Sequence, residues 1–238
     1  MAAERVLRDS TPARRLRTRL ASDRLAAWGG DRPVRFLDAG CDVGLLALEM
    51  ARRCPSWTIE GVDVNEEMLA IGREWASEAG LDRVQLFRGD ITSDLPAGAY
   101  DAVAALECLT VVPDLEAAIA GLAGALRRDG LLAAHVPEAQ WEPVLPGSPG
   151  EWRTALRHGF TPEELAALFD RHGLRMTWVE ATTRTPVQAA QELRDRIKAS
   201  PTRVRLAAHP GLVAAVWLER HGVAFGPARG LYVEAERR

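Results

Sequence analysis

The chain has 238 residues, 47% of them apolar, enough to fill a sizeable core in one α/β domain with decoration. Thirty Lys and Arg against 33 Asp and Glu leave a net charge of −3, which argues against nucleic acid as the main partner. Three cysteines, odd in number and without C-x-x-C spacing, argue for a reduced, cytoplasmic protein with no structural metal.

Residues 1–10 have no apolar core, so no secretory signal is expected. Residues 11–28 read as a basic amphipathic helix. Thr11 is its cap, Pro12 suits the first position, and Leu16, Leu20, Leu25 and Trp28 form the apolar stripe. Arg14, Arg15, Arg17 and Arg19 are expected on a solvated face, although one of them could reach a bound carboxylate. Strands and helices then alternate: strand 34–37, helix 45–53, strand 57–62, helix 66–79, strand 84–88, strand 100–105, helix 115–127 and strand 131–136. Asn65 and Asp114 are caps, Gly80 is a stop, and Asp129-Gly130 turns the chain. Such βα alternation predicts a parallel sheet covered on both faces.

Residues 137–160 break this rhythm with Pro137, Pro143, Pro146, Gly147, Pro149 and Gly150, as a functional loop does. Thr161-Pro-Glu-Glu164 is a capping box opening a helix that ends at His172-Gly173, and strand 175–181 follows. Thr185-Pro-Val-Gln188 matches a second capping box, opening a helix to about 199. A further helix spans 212–220, and strand 230–236 ends the chain. The apolar run 212–218 is far too short to cross a membrane.

Three acids close three successive strands: Asp38, Asp63 and Asp90. After Asp38 come Gly40 and Gly44 and then a helical run, the strand–turn–helix arrangement that cradles a nucleotide-like group at a sheet edge. A nicotinamide site would need glycines at 42 and 45, where Asp42 and Leu45 stand.

These segments resemble the class I S-adenosylmethionine-dependent methyltransferases. Phe36-Leu-Asp-Ala-Gly-Cys-Asp-Val-Gly44 is similar to the family's first motif and Gly61-Val-Asp-Val-Asn-Glu-Glu-Met-Leu69 to its second. Arg88-Gly-Asp-Ile-Thr-Ser-Asp-Leu-Pro96 looks like the third, and Tyr100-Asp-Ala-Val-Ala-Ala-Leu-Glu-Cys-Leu109 like the fourth. Leu126-Arg-Arg-Asp-Gly-Leu-Leu132 matches the lead into the fifth strand. The resemblance implies a Rossmann-like α/β fold: seven strands, mostly parallel, the last antiparallel, with helices on both faces. It implies a single domain over 1–238, made of a leading helix (1–30), a cofactor core (33–183), a helical substrate-side insertion (184–228) and a final strand (229–238).

The same resemblance implies S-adenosylmethionine as cofactor. Asp63 would accept from the ribose hydroxyls and Asp90 from the adenine amino group, with Ile91 on the ring. Leu106 and Glu107 would flank the methionyl part. Asp38, Gly40, Cys41, Val64 and Met68 complete the expected cofactor site. Gly40 would let the backbone approach the ligand without a Cβ. His135 and His158 are the candidate bases, and Trp141 and Trp152, with Trp178 and Trp217 behind them, the candidate substrate contacts. His172, His209 and His221 read as caps or surface residues. Two departures stand out: Asp42 replaces the middle glycine of the turn, and 109–112 carry no histidine after the fourth strand.

The expected activity is methyl transfer to a small organic acceptor, with specialised metabolism as one setting and a carrier-tethered acceptor as a variant. The alternative is a non-methylating protein on the same scaffold that holds the cofactor structurally, catalyses a cyclisation or serves as a partner subunit. No metal, nucleic-acid or membrane partner is expected, and the chain would be a monomer or homodimer.

Overall fold

The computed structural model describes residues 11–139, 142–145, 159–198, 200, 202–223 and 225–238, the side chains of 203–206 excepted. Seven strands form one sheet in the order β3-β2-β1-β4-β5-β7-β6. They are β1 (Arg35–Ala39), β2 (Thr58–Asp63), β3 (Val84–Arg88), β4 (Tyr100–Leu106), β5 (Leu126–Pro137), β6 (Leu174–Thr182) and β7 (Gly230–Arg237). The first five pair in parallel, whereas β7 lies antiparallel between β5 and β6. The order reverses between β1 and β4, the place where open α/β sheets form a crevice at their carboxyl ends.

Helices α1 (Pro12–Gly29), α2 (Leu45–Arg53) and α3 (Glu66–Glu78) bury one face of the sheet around Phe36, Ile59, Ala102 and Ala104. Helices α4 (Leu115–Ala125) and α5 (Pro162–Arg171) bury the other around Leu37, Val103, Leu132 and Val233. Ala102–Ala105 are wholly buried, as befits a central strand covered on both sides. Helices α6 (Thr185–Ile197) and α7 (Thr202–Arg220) lie between β6 and β7 in sequence, and Val187 and Val216 pack on Ala13 and Leu16 of α1.

Local chemistry sets most boundaries. Thr11, Asn65, Asp114 and Thr161 all accept from first-turn N–H groups, and Thr161 with Glu164 completes the capping box. Two expectations fail. The Thr185 box does not form: α6 starts at Thr185 with Arg184 as an uncapped N-cap, and the Arg184 N–H instead donates to the carboxylate of Glu219, at 2.9 and 3.1 Å. Helix α7 begins at Thr202 rather than 212, because Pro210 is carried inside it. Proline removes one helical N–H without ending the helix here.

The arginines of α1 also differ from expectation. Arg15 and Arg17 are buried, because α1 lies across the sheet rather than on the outside of the molecule. Among the described residues no helix is long and apolar enough to cross a membrane, and no group of His, Cys, Asp and Glu is arranged to hold a metal.

Candidate functional site

Between β1, β2, β4 and α1 lies a cavity of about 210 Å³. Asp38, Gly40, Cys41, Asp42, Asp63, Leu106 and Glu107 line it from the strand ends, and Arg14, Arg17 and Thr18 from α1. The turn that shapes it is built from backbone bonds. The N–H groups of Gly40 and Cys41 both donate to the Val62 carbonyl, at 2.8 and 3.0 Å. Gly40 has a φ of 69°, and a Cβ there would stand 2.5 Å from Cβ of Cys108. The glycine is thus required by the turn that follows β4 as well as by its backbone angle. Asp42 takes the left-handed conformation with φ 53°, which aspartate tolerates better than most residues.

Asp63 ends β2. Its Oδ2 accepts from the Asp42 N–H and its Oδ1 from the Asn65 N–H, both at 2.9 Å, so it clasps the glycine turn to α3. Asp38 is almost wholly buried and accepts from the Ala47 N–H at 3.1 Å. Burial pushes its carboxyl up to about 7; the Ala47 bond opposes this, and the nearby Asp63 and Asp42 add to it. Burial likewise pushes the Cys108 thiol up to about 12 and the Cys41 thiol further, so both behave as apolar wall rather than nucleophiles.

Asp42 does not face the cavity as an isolated charge: Arg14 of α1 forms an ion pair with it. Arg17 stands 4.0 Å from Oε1 of Glu107. Glu107 itself has φ 71°, a strained angle for glutamate, and such outliers gather at functional sites. Its Oε2 is buried with no hydrogen-bond partner.

His135 does not face the cleft as expected. It is 1% exposed, hydrogen-bonded through Nδ1 to Glu107 and through Nε2 to Thr182 Oγ1 at 2.8 Å. His135 pairs with Leu106 across the β4–β5 ladder and its ring is held between Glu107 and Thr182, so it backs the site instead of entering it. Asp90 and Ile91 lie at the end of β3, off the cavity lining; Asp90 Oδ1 accepts from the N–H and hydroxyl of Thr92, at 2.8 and 2.7 Å. Val64 and Met68 are also off the lining; Val64 is exposed beside Asp63, and the Met68 N–H donates to Asn65 in the first turn of α3. His158, Trp141 and Trp152 lie outside the described residues. Trp178 is half exposed with Arg24 over its ring, and Trp217 stacks on His221; neither lines this cavity.

Sequence reasoning passed over Thr18, Cys108 and Val111, which also line the cavity. Arg14, Arg17 and Thr18 share one face of α1, and that spacing was the available signal. A second, outer cavity of about 760 Å³ lies on the other side of α1, lined by Leu16, Leu20, Ala181, Thr182, Arg184 and Glu219 among others.

Residues 36–130 match the family profile described as a methyltransferase domain. The chain is 35% identical over 146 residues to nocamycin O-methyltransferase of Saccharothrix syringae, covering 58% of this chain and 50% of that one. It is 30% identical over 143 residues to trans-aconitate 2-methyltransferase of Azoarcus sp. (strain BH72), covering 59% and 54%. The chain therefore spans about half the length of these curated relatives. Among solved structures, the cyclase SpnF aligns over 92% of this chain and 81% of its own, with 29% identity and a TM-score of 0.67. A putative sarcosine dimethylglycine methyltransferase from Galdieria sulphuraria shares the fold, with a TM-score of 0.66 at 17% identity over 93% and 86%.

Proposed function

We propose that this chain, whose residues 36–130 match a methyltransferase-domain profile, is a class I S-adenosylmethionine-dependent methyltransferase that transfers a methyl group to a small organic acceptor of specialised metabolism. The observation that carries this reading is the cavity itself: two strand-end acids, a glycine turn and a helix start meet at the point where the strand order reverses. Its residues suit the cofactor. Asp63 offers acceptors for ribose hydroxyls, and Asp90 with Ile91 continues the same edge toward an adenine ring. Cys41, Val64 and Met68 flank that path. The start of α2 and the arginines Arg14 and Arg17 suit a carboxylate, and the orphaned Oε2 of Glu107 suits an ammonium.

S-adenosylmethionine supplies an already activated methyl group, so the protein's work is alignment and desolvation of the reactants. The curated relatives that methylate small molecules favour such an acceptor here, free or tethered to a carrier protein. The units proposed from sequence fit this division of labour, with 33–183 holding the cofactor and 184–228 shaping the acceptor side.

A second reading has one specific support. The likeness to a cyclase at 29% identity over most of the chain favours a non-methylating catalyst that holds the cofactor in place. Mass spectrometry of small molecules released from the purified, denatured protein tests both. A retained adenosyl compound is expected under either reading. Incubation of candidate acceptors with S-adenosylmethionine then decides between them: a product heavier by one methyl group supports transfer, and an isomer of unchanged mass supports cyclisation.

A further inference from the structure

The buried side of the site contains a chain of contacts that the cofactor reading does not use. Glu107 ends β4, His135 lies on β5 and Thr182 ends β6, and the three side chains are hydrogen-bonded in series. The Glu107 N–H also donates to the His135 carbonyl, at 2.9 Å, so the two residues are tied twice. An ionised carboxylate only accepts, so it calls for a proton on Nδ1, and a neutral ring then accepts at Nε2 from the Thr182 hydroxyl. Both ring nitrogens are then satisfied, and His135 can neither rotate nor tautomerise without leaving a buried group unpaired.

Gly230 of β7 packs directly on this chain. A Cβ there would stand 2.7 Å from Cε1 of His135 and 2.9 Å from both Nε2 of His135 and Oγ1 of Thr182. Its backbone is ordinary extended strand, so glycine is needed there for space alone. The sheet has thus kept room for one hydrogen bond. Its effect appears at the far end, where Oε1 of Glu107 is engaged and Oε2 is left buried without a hydrogen-bond partner, on a residue that lines the cavity.

We propose that Thr182 and His135 are positioning residues for Glu107, holding its free oxygen toward the amino-acid end of the bound cofactor. This rests on the cofactor reading above and goes beyond it by assigning a task to two residues that never reach the ligand. Asp42 is paired with Arg14, whereas Oε2 of Glu107 has no hydrogen-bond partner, so Glu107 is the carboxylate placed to receive an ammonium group. Fixing it beforehand removes the cost of ordering it on binding.

Two ligands separate positioning from general damage. S-adenosylhomocysteine carries the amino-acid end, and 5′-methylthioadenosine lacks it. By calorimetry on the full chain, Glu107→Gln is expected to weaken S-adenosylhomocysteine at least tenfold, and Thr182→Val roughly threefold to tenfold. Methylthioadenosine affinity stays unchanged in both. Thr182→Ser keeps the hydroxyl and binds like the parent; Gly230→Ala displaces the ring and behaves like Thr182→Val. Nitrogen-15 NMR of the parent shows His135 protonated at Nδ1 and not at Nε2. Thr182→Val that binds S-adenosylhomocysteine as the parent does, or that loses both ligands equally, overturns the proposal. Should the parent bind neither ligand, it is the cofactor reading that fails, while the NMR assignment still tests the chain of contacts. A ring protonated at Nε2 would overturn that.

Discussion

The half of the sheet from β1 to β4 and the half formed by β6 and β7 are built on different principles. In the first, signals readable from the local pattern do much of the work: Asn65 caps its own helix, Asp63 at a strand end clasps the glycine turn, and α2 and β3 occupy 45–53 and 84–88 as their patterns require. In the second, residues far apart in sequence replace local signals. Glu219 satisfies the start of α6 from 35 residues away, and Thr182 reaches back 47 residues to His135. Local rules therefore locate the strand-end cavity, whereas the side formed by β6, β7 and α6 is defined by pairings that only folding brings together.

The sharpest way to break the first half is Gly40→Ala. The new Cβ meets Cys108 and the backbone is held at positive φ. Overpacking and strain at about 1–3 kcal/mol each give an expected loss of roughly 2–6 kcal/mol in urea unfolding. The corresponding test in the second half is Glu219→Ala, which orphans the Arg184 N–H and is expected to cost roughly 1–3 kcal/mol. A loss near zero would mean that α6 is held by packing alone.

Proton linkage sharpens the comparison, because each half holds an acid whose carboxyl is pushed well up by desolvation. Burial raises both Asp38 and Glu219 to about 7 from ordinary values near 4. The folded chain then holds these protons more tightly than the unfolded one. For these groups stability is greatest below about pH 4 and falls as pH rises toward 7. Asp38→Asn is expected to flatten that fall by a few kcal/mol at most, since each tenfold difference in proton affinity is worth roughly 1.4 kcal/mol. Chemical denaturation at pH 5 and pH 8 measures it; an unchanged slope would place the titrating burden elsewhere. The smallest effect is Asn65→Ala, about 1 kcal/mol for a lost helix cap.

Much of the fold was legible because its signals are short-range. The strand-end acids, the turn glycines and four of the helix caps can each be read within a few residues. What was not legible depended on partners across the sheet. His135 reads as a strand-end base until β6 supplies Thr182 behind it and β4 supplies Glu107. The arginines of α1 read as solvated until the helix is laid over the cleft, where Arg14 meets Asp42. Asp42 itself reads as an intrusive charge in a glycine turn, and only that pairing explains how it is tolerated. The missing capping box at Thr185 has the same cause, since Glu219 was invisible from the local pattern.

The central claim is that the acids at the ends of β1 and β2 shape a site for an adenosyl cofactor. Calorimetry of S-adenosylhomocysteine binding to the parent chain and to Asp63→Ala tests it most directly. Binding by the parent, weakened by roughly 1–3 kcal/mol in the variant, is the expected result. Equal affinity in the two proteins, or no binding by the parent, would contradict the account.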